Sequence, residues 1–203
     1  MPFRLIGNNI LPNSCPNKYQ KDEFLLKFIG KERFSTIEHN VTRWAEEKGI
    51  PISLRGIMTQ STRAHRLALK ARKIGGQRLQ TPLVSAIFKA TNQDGKDISD
   101  FDVLAELAEE SGVMGKADTI EFLKSDELEK EVNDLCNAAR SKGITGVPIT
   151  IIDEKWAVSG GQSSDVYIQI FKKLAAAGVH AAPSPFPSSL VHTCTGDGSD
   201  DSD

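Results

Sequence analysis

The chain has 203 residues, 39% of them hydrophobic and 26% charged, with a formal net charge of -2. That is the length of one domain, or of one domain carrying a large insert, and it is enough to bury a core. The near-neutral balance excludes a composition-driven pull toward nucleic acid or a membrane surface, and no apolar stretch is long enough to span a bilayer, so partners must be argued from sites.

Residues 3–6, Phe-Arg-Leu-Ile, are followed by Gly-Asn-Asn and predict a strand running into an Asn- and Pro-rich loop that ends at Pro16. From about 17 to 28, the spacing of Tyr19, Phe24, Leu25 and Phe28 predicts an amphipathic helix stopped by Gly30. A second helix, about 32 to 48, places Phe34, Ile37, Val41, Trp44 and Ala45 on one face and ends at Gly49. Residues 50–57 read as extended or irregular. Ser61 then offers an N-cap hydroxyl to a helix running to Ile74, which Gly75-Gly76 ends. Another helix follows from about 79 to 91, with Pro82 in its first turn, where a missing N–H costs little.

Ser99 or Asp100 caps a helix carrying Val103, Leu104, Leu107 and Ala108, with Gly112 beyond it. A shorter helical piece near 119–123 leads to Ser125, read as the cap of a helix with core residues Leu128, Val132, Leu135 and Ala139 and with Gly143 at its end. The pattern then changes. Residues 147–152, Val-Pro-Ile-Thr-Ile-Ile, are β-branched and too short for a helix, Asp153-Glu-Lys155 is a tight turn, and Trp156-Ala-Val158 returns as a second strand. A last helix, capped by Ser163 or Ser164, turns Val166, Ile170, Phe171 and Leu174 inward and stops before Gly178. Residues 179–203, rich in Pro, Ser, Gly and Asp, are too poor in apolar surface to order themselves and read as a disordered acidic tail.

The order is strand, about six helices, hairpin, helix, without internal repeat, which describes a helical domain inserted into a small α/β core. Within it, Gly146-Val147-Pro148 opens the apolar strand, a position where proline removes a ladder donor. A cis Val147–Pro148 bond would turn the Val147 backbone outward to pair with an extended peptide or thiol ligand; the bland reading is a trans proline that starts a strand.

Context favours the first. A proline-led strand, hairpin and C-terminal helix after a helical insert resembles the second half of the DsbA-like thioredoxin fold, in particular its FrnE and 2-hydroxychromene-2-carboxylate isomerase branch. The resemblance spans roughly residues 2–177 and is carried by Pro2-Phe-Arg-Leu5, Gln60-Ser61 with Ala64-His65-Arg66-Leu67, Gly95-Lys-Asp-Ile-Ser99, Gly143-Ile-Thr-Gly-Val-Pro148 and Ser159-Gly-Gly-Gln162. Where the family shows Asn-Thr this chain has Gln60-Ser61, which keeps a capping hydroxyl. The larger departure is that the chain begins at what matches the family's second strand. The first strand and the helix bearing Cys-x-x-Cys, or a serine in the isomerases, are missing from it.

The resemblance implies an α/β thioredoxin-like fold, incomplete at its N-terminus, over 1–178, with the helical insert at about 17–142 and the thioredoxin half at 143–178. It implies the thiol–disulfide oxidoreductase class, with redox activity reduced or absent because a helix N-terminus normally lowers the pKa of the attacking thiol. Alternatives are a glutathione-dependent isomerase or transferase, a non-catalytic binding protein, or a truncated gene product. Val147, Pro148 and His65 are the expected ligand-binding positions. The expected partner is a thiol, disulfide or small-molecule substrate rather than nucleic acid or membrane, with no cofactor other than glutathione as co-substrate; the oligomeric state is left open.

Other candidates have plainer readings. Cys15, before Pro16 and a helix, is a one-cysteine active site or, more simply, a thiol in a flexible loop. Cys136 reads as a small buried hydrophobe and Cys194 lies in the tail. His65 is a ligand contact or a helix-packing histidine, the second being the simpler. No His, Cys or carboxylate spacing matches a metal site, and Gly160-Gly161 lacks the Lys-Ser/Thr of a phosphate loop. Three widely spaced cysteines and no visible signal peptide lead us to expect a cytoplasmic protein.

Overall fold

The computed structural model describes residues 18–141, 143–144, 148–152 and 156–176. The expected strand at 3–6, Cys15, Val147, the turn at 153–155 and the tail from 179 lie outside them. The described chain falls into two compact units divided at Asn133, taken here in turn.

The first unit opens with β1 (Tyr19–Gln20) and α1 (Lys21–Ile29). Tyr19 therefore belongs to a strand and not to the helix predicted from residue 17. The reason is long-range: β1 pairs antiparallel with β2 (Ile57–Met58), Tyr19 opposite Met58, and the Lys21 N–H donates to the Gly56 carbonyl at 2.8 Å. The Lys21 side chain is buried and its Nζ donates to the Thr91 carbonyl at 2.8 Å; burial pushes its ammonium pKa down. Phe24 packs between the rings of Tyr19 and Phe28, at 5.4 and 5.8 Å.

α2 (Lys31–Lys48) ends at left-handed Gly49, as its sequence predicts. Phe34 and Ala45 are buried, but Ile37 and Trp44 of the same apolar set are exposed. The main packing partner of this helix is α1, which is half its length and covers only one side.

α3 (Thr62–Asn92) carries the core. Ala64, Leu67 and Ala71, then Leu83, Ile87 and Ala90, recur at helical spacing and pack with Leu104, Leu107, Ala108, Phe122 and Leu123. The predicted break is present: Gly75 and Gly76 are non-helical, and Gly76, at φ 59° and ψ -148°, holds a backbone conformation that only glycine adopts readily. The second segment resumes at Gln77, so Pro82 lies inside it and not in its first turn. Gln80 bridges the break by donating to the Ala68 carbonyl at 3.2 Å. Ser61 precedes the helix, but its side chain makes no capping hydrogen bond.

Asp100 caps α4 (Phe101–Glu110), accepting from the N–H groups of Asp102 and Val103 at 2.9 and 3.2 Å. α5 (Lys116–Lys124) follows Gly115 and is longer than its sequence signal. Ser125 stands four residues ahead of the next helix, its Oγ accepting from the Glu127 N–H at 3.2 Å in the intervening turn and not from an N–H of that helix. Its hydroxyl donates to the Phe122 carbonyl at 2.7 Å and closes α5, and Leu128, at φ 64°, turns the chain before α6 (Glu129–Ser141) begins.

The second unit holds the rest of α6, the hairpin of β3 (Ile149–Ile152) and β4 (Trp156–Ser159), and α7 (Ser164–Ala176). The strands are antiparallel, with Ile149 opposite Ser159 and Ile152 opposite Trp156. Ile152, Val158 and Ile170 form its core, lined by Trp156, Val166, Tyr167 and Leu174. Phe171, predicted to face inward, is exposed. The sheets among the described residues are thus two pairs, β1 with β2 and β3 with β4.

Candidate functional site

Pro148 stands immediately before β3, exposed to solvent. It has no N–H, so the ladder at this rung has one bond: the Pro148 carbonyl accepts from the Gly160 N–H at 2.9 Å. Two further contacts brace the frame. Thr150 Oγ1 lies 3.5 Å from the Tyr167 hydroxyl, joining β3 to α7, and Gln162 Nε2 donates to the Ser159 carbonyl at 3.0 Å, closing the Ser159-Gly-Gly-Gln162 turn. The hairpin thus presents the Pro148 end of β3 to solvent. Val147, whose backbone would do the pairing, lies outside the described residues.

His65 sits in the first turn of α3, its N–H donating to the Ser61 carbonyl at 3.0 Å. Its Nε2 is buried and has no hydrogen-bond partner among the described residues. Burial pushes the imidazole pKa down, so the ring is held neutral. An unpaired buried ring nitrogen is costly unless something supplies its missing bond. His65 belongs to the first unit and Pro148 to the second, and each is described within its own unit.

Beside His65, Arg66 has a structural task that its sequence pattern did not reveal. It is only 3% exposed, and its guanidinium donates to the carbonyls of Glu127, Leu123, Phe122 and Ser125 while lying over the Phe122 ring at 5.2 Å. These partners include the orphan carbonyls at the end of α5, which need donors. Arg63 does related work one turn away: Nη1 donates to the Ser99 carbonyl at 2.9 Å and the guanidinium lies 4.4 Å from the Phe101 ring centre. The stretch Gly95–Ser99 is further fixed by Asp97, which accepts from the Ser99 N–H and hydroxyl and pairs with Lys18 at 2.5 Å. Burial raises the Asp97 carboxyl pKa, but the bonds from Lys18 and Ser99 outweigh it and hold the group below its ordinary value.

Of the three cysteines, Cys136 is described. It is buried on α6 and free of disulfide. Burial pushes its thiol pKa up, against a smaller opposing pull from Arg140, the reverse of what an attacking thiolate needs. Cys15 and Cys194 lie outside the described residues. Among the described residues no three His, Cys, Asp or Glu side chains cluster to hold a metal, and no helix is long and apolar enough to cross a membrane.

The model of the DSBA-like thioredoxin domain family matches residues 1–172. The chain belongs to that family. Among solved structures, a probable DsbA oxidoreductase from Streptomyces coelicolor superposes with a TM-score of 0.71 at 23% identity, over 82% of this chain and 71% of that one. A comparison with curated proteins gives no match. The DsbA-like chain therefore has the thioredoxin-like α/β fold, mostly helical and with few strands, consistent with a helical insertion ahead of the β3–β4–α7 unit.

Proposed function

We propose that this DsbA-like protein is a member of the thiol–disulfide class, of the FrnE and 2-hydroxychromene-2-carboxylate isomerase branch, that binds a thiol or disulfide ligand with reduced or absent disulfide exchange. One observation carries the binding half: an exposed Pro148 at the head of β3, its carbonyl already committed to Gly160, so that a ligand strand would pair with Val147. The exchange half rests on the cysteines. Cys15, Cys136 and Cys194 form no Cys-x-x-Cys, and the thiol of Cys136 is buried and protonated at neutral pH. Insulin reduction is the test. The reading expects no turnover above the uncatalysed rate with the full chain, and turnover at the rate of an ordinary dithiol oxidoreductase refutes it.

A second reading, a glutathione-dependent isomerase or transferase, draws support from His65, whose buried Nε2, without a hydrogen-bond partner among the described residues, suits a bound small molecule. Here glutathione is a co-substrate and an activated serine or thiol, Cys15 among the candidates, does the chemistry. Calorimetric titration with glutathione separates the two: saturable binding weakened by His65→Leu selects the second reading. A reducing cytoplasmic setting accords with either.

A further inference from the structure

We propose that the protein forms a two-fold dimer through α2, a second copy lying antiparallel on the exposed side of that helix. α2 buries Phe34 and Ala45 on one side only. The face next to it, about 100° round the helix, carries Arg33, Ile37, half-buried Asn40, Trp44 and Glu47, positions spaced by four, three, four and three residues, which is one continuous stripe on an α-helix. Trp44 is 56% exposed, and Ile37, Arg33 and Glu47 are exposed too.

The order along this stripe is cation, apolar, amide, apolar, anion. Reversed, it complements itself. An antiparallel copy centred on Asn40 sets Arg33 against Glu47 of the second copy, Ile37 against Trp44 of the second copy, and the two Asn40 amides against each other across the axis. That is the residue-to-residue reciprocity an isologous interface requires. Arg33 has no ion pair within its own chain among the described residues. Glu47 has only a loose one, 3.9 Å from Arg43 on the same helix, with both side chains more than half exposed, which competes weakly. The same pairing brings together the two ends of α2, where Phe28 precedes it and Ile50 follows it, at 71% and 50% exposure. Among the described residues, six of the ten exposed large hydrophobics fall between Leu26 and Ile52.

Sedimentation velocity on the full chain, over protein concentrations of about 1 to 100 μM, tests the proposal. The sedimentation coefficient should rise from monomer to dimer across that range. Trp44→Ser should weaken the dimer by about thirtyfold, the scale on which a central aromatic anchor acts. Arg33→Glu and Glu47→Arg should each weaken it, and the double variant should recover the affinity, a reciprocity that merely structural damage would not produce. These charge changes lie on exposed side chains, so they decide the matter even if Trp44→Ser perturbs folding. A chain that stays monomeric throughout, or a dimer indifferent to the single charge reversals, overturns the proposal.

Discussion

Arg66 and Ser125 lie 59 positions apart, and Nη2 of the first donates to the carbonyl of the second at 2.7 Å. With its bonds to Phe122, Leu123 and Glu127, the same side chain ties the start of α3 to the end of α5 and the turn into α6. Replacing Arg66 by Met would take the side-chain donor from the Leu123, Ser125 and Glu127 carbonyls and leave Phe122 its bond from the Ser125 hydroxyl, a loss of about 3 kcal/mol. Lysine should not rescue it, since one ammonium cannot reproduce a planar fork of five donors. Urea denaturation of the wild type, Arg66→Met and Arg66→Lys checks both points. A Lys variant as stable as the wild type would contradict this account.

Gly56 and Gly95 approach backbone to backbone. A Cβ built on Gly56 would lie 2.5 Å from the Gly95 Cα, and Gly56 also holds φ at +106°. Gly56→Ala must therefore move the β2 connection away from the turn after α3, and we expect a loss of about 3 kcal/mol. Gly112 is the control, with φ +69° but nothing near its missing Cβ; Gly112→Ala should lose only about 1 kcal/mol. The difference in thermal midpoint between the two variants measures the contact separately from the backbone preference.

Much of this could be read along the chain and some could not, for a consistent reason. Asp100 as a cap, Gly75-Gly76 as a break and the β3–β4 hairpin are local signals, and the structure carries each of them. The two-residue strands at Tyr19 and Ile57 were illegible because either segment alone is too short to show a period; only their pairing makes them strands. Ser125 misled in the opposite way. A serine between two helices serves as a cap for one or as a closure for the other, and the buried Arg66, whose partners lie far off in sequence, fixes the second. The same holds for the site. Pro148 announced itself by starting a β-branched run, whereas nothing in the sequence shows that the His65 Nε2 is buried without a partner among the described residues.

His65 gives the protein a pH signature. Its folded-state pKa lies below the ordinary value of 6.5 because burial disfavours the imidazolium. The unfolded chain then binds more protons in this range, so the stability difference is fully present above about 6.5 and is lost as pH falls below it toward the folded value. Denaturation midpoints should drop on acidification from about pH 7, and His65→Leu should flatten that slope. An unchanged slope in the variant would show that another group governs the response.

Cys136 should behave as packing and not as chemistry. Its thiol is buried on α6 and its pKa is raised, so the native protein presents neither access nor thiolate to an alkylating reagent. In a Cys15→Ser, Cys194→Ser background, where Cys136 alone remains, modification by a maleimide at neutral pH should be at least about tenfold slower folded than in denaturant, because it must wait for local opening. Cys136→Ala should leave any glutathione binding unchanged while lowering stability by about 1 kcal/mol, the cost of a small void in a packed helix face. Rapid labelling of the folded chain would instead mark Cys136 as an exposed, reactive thiol, and the case against exchange chemistry on α6 would fail with it.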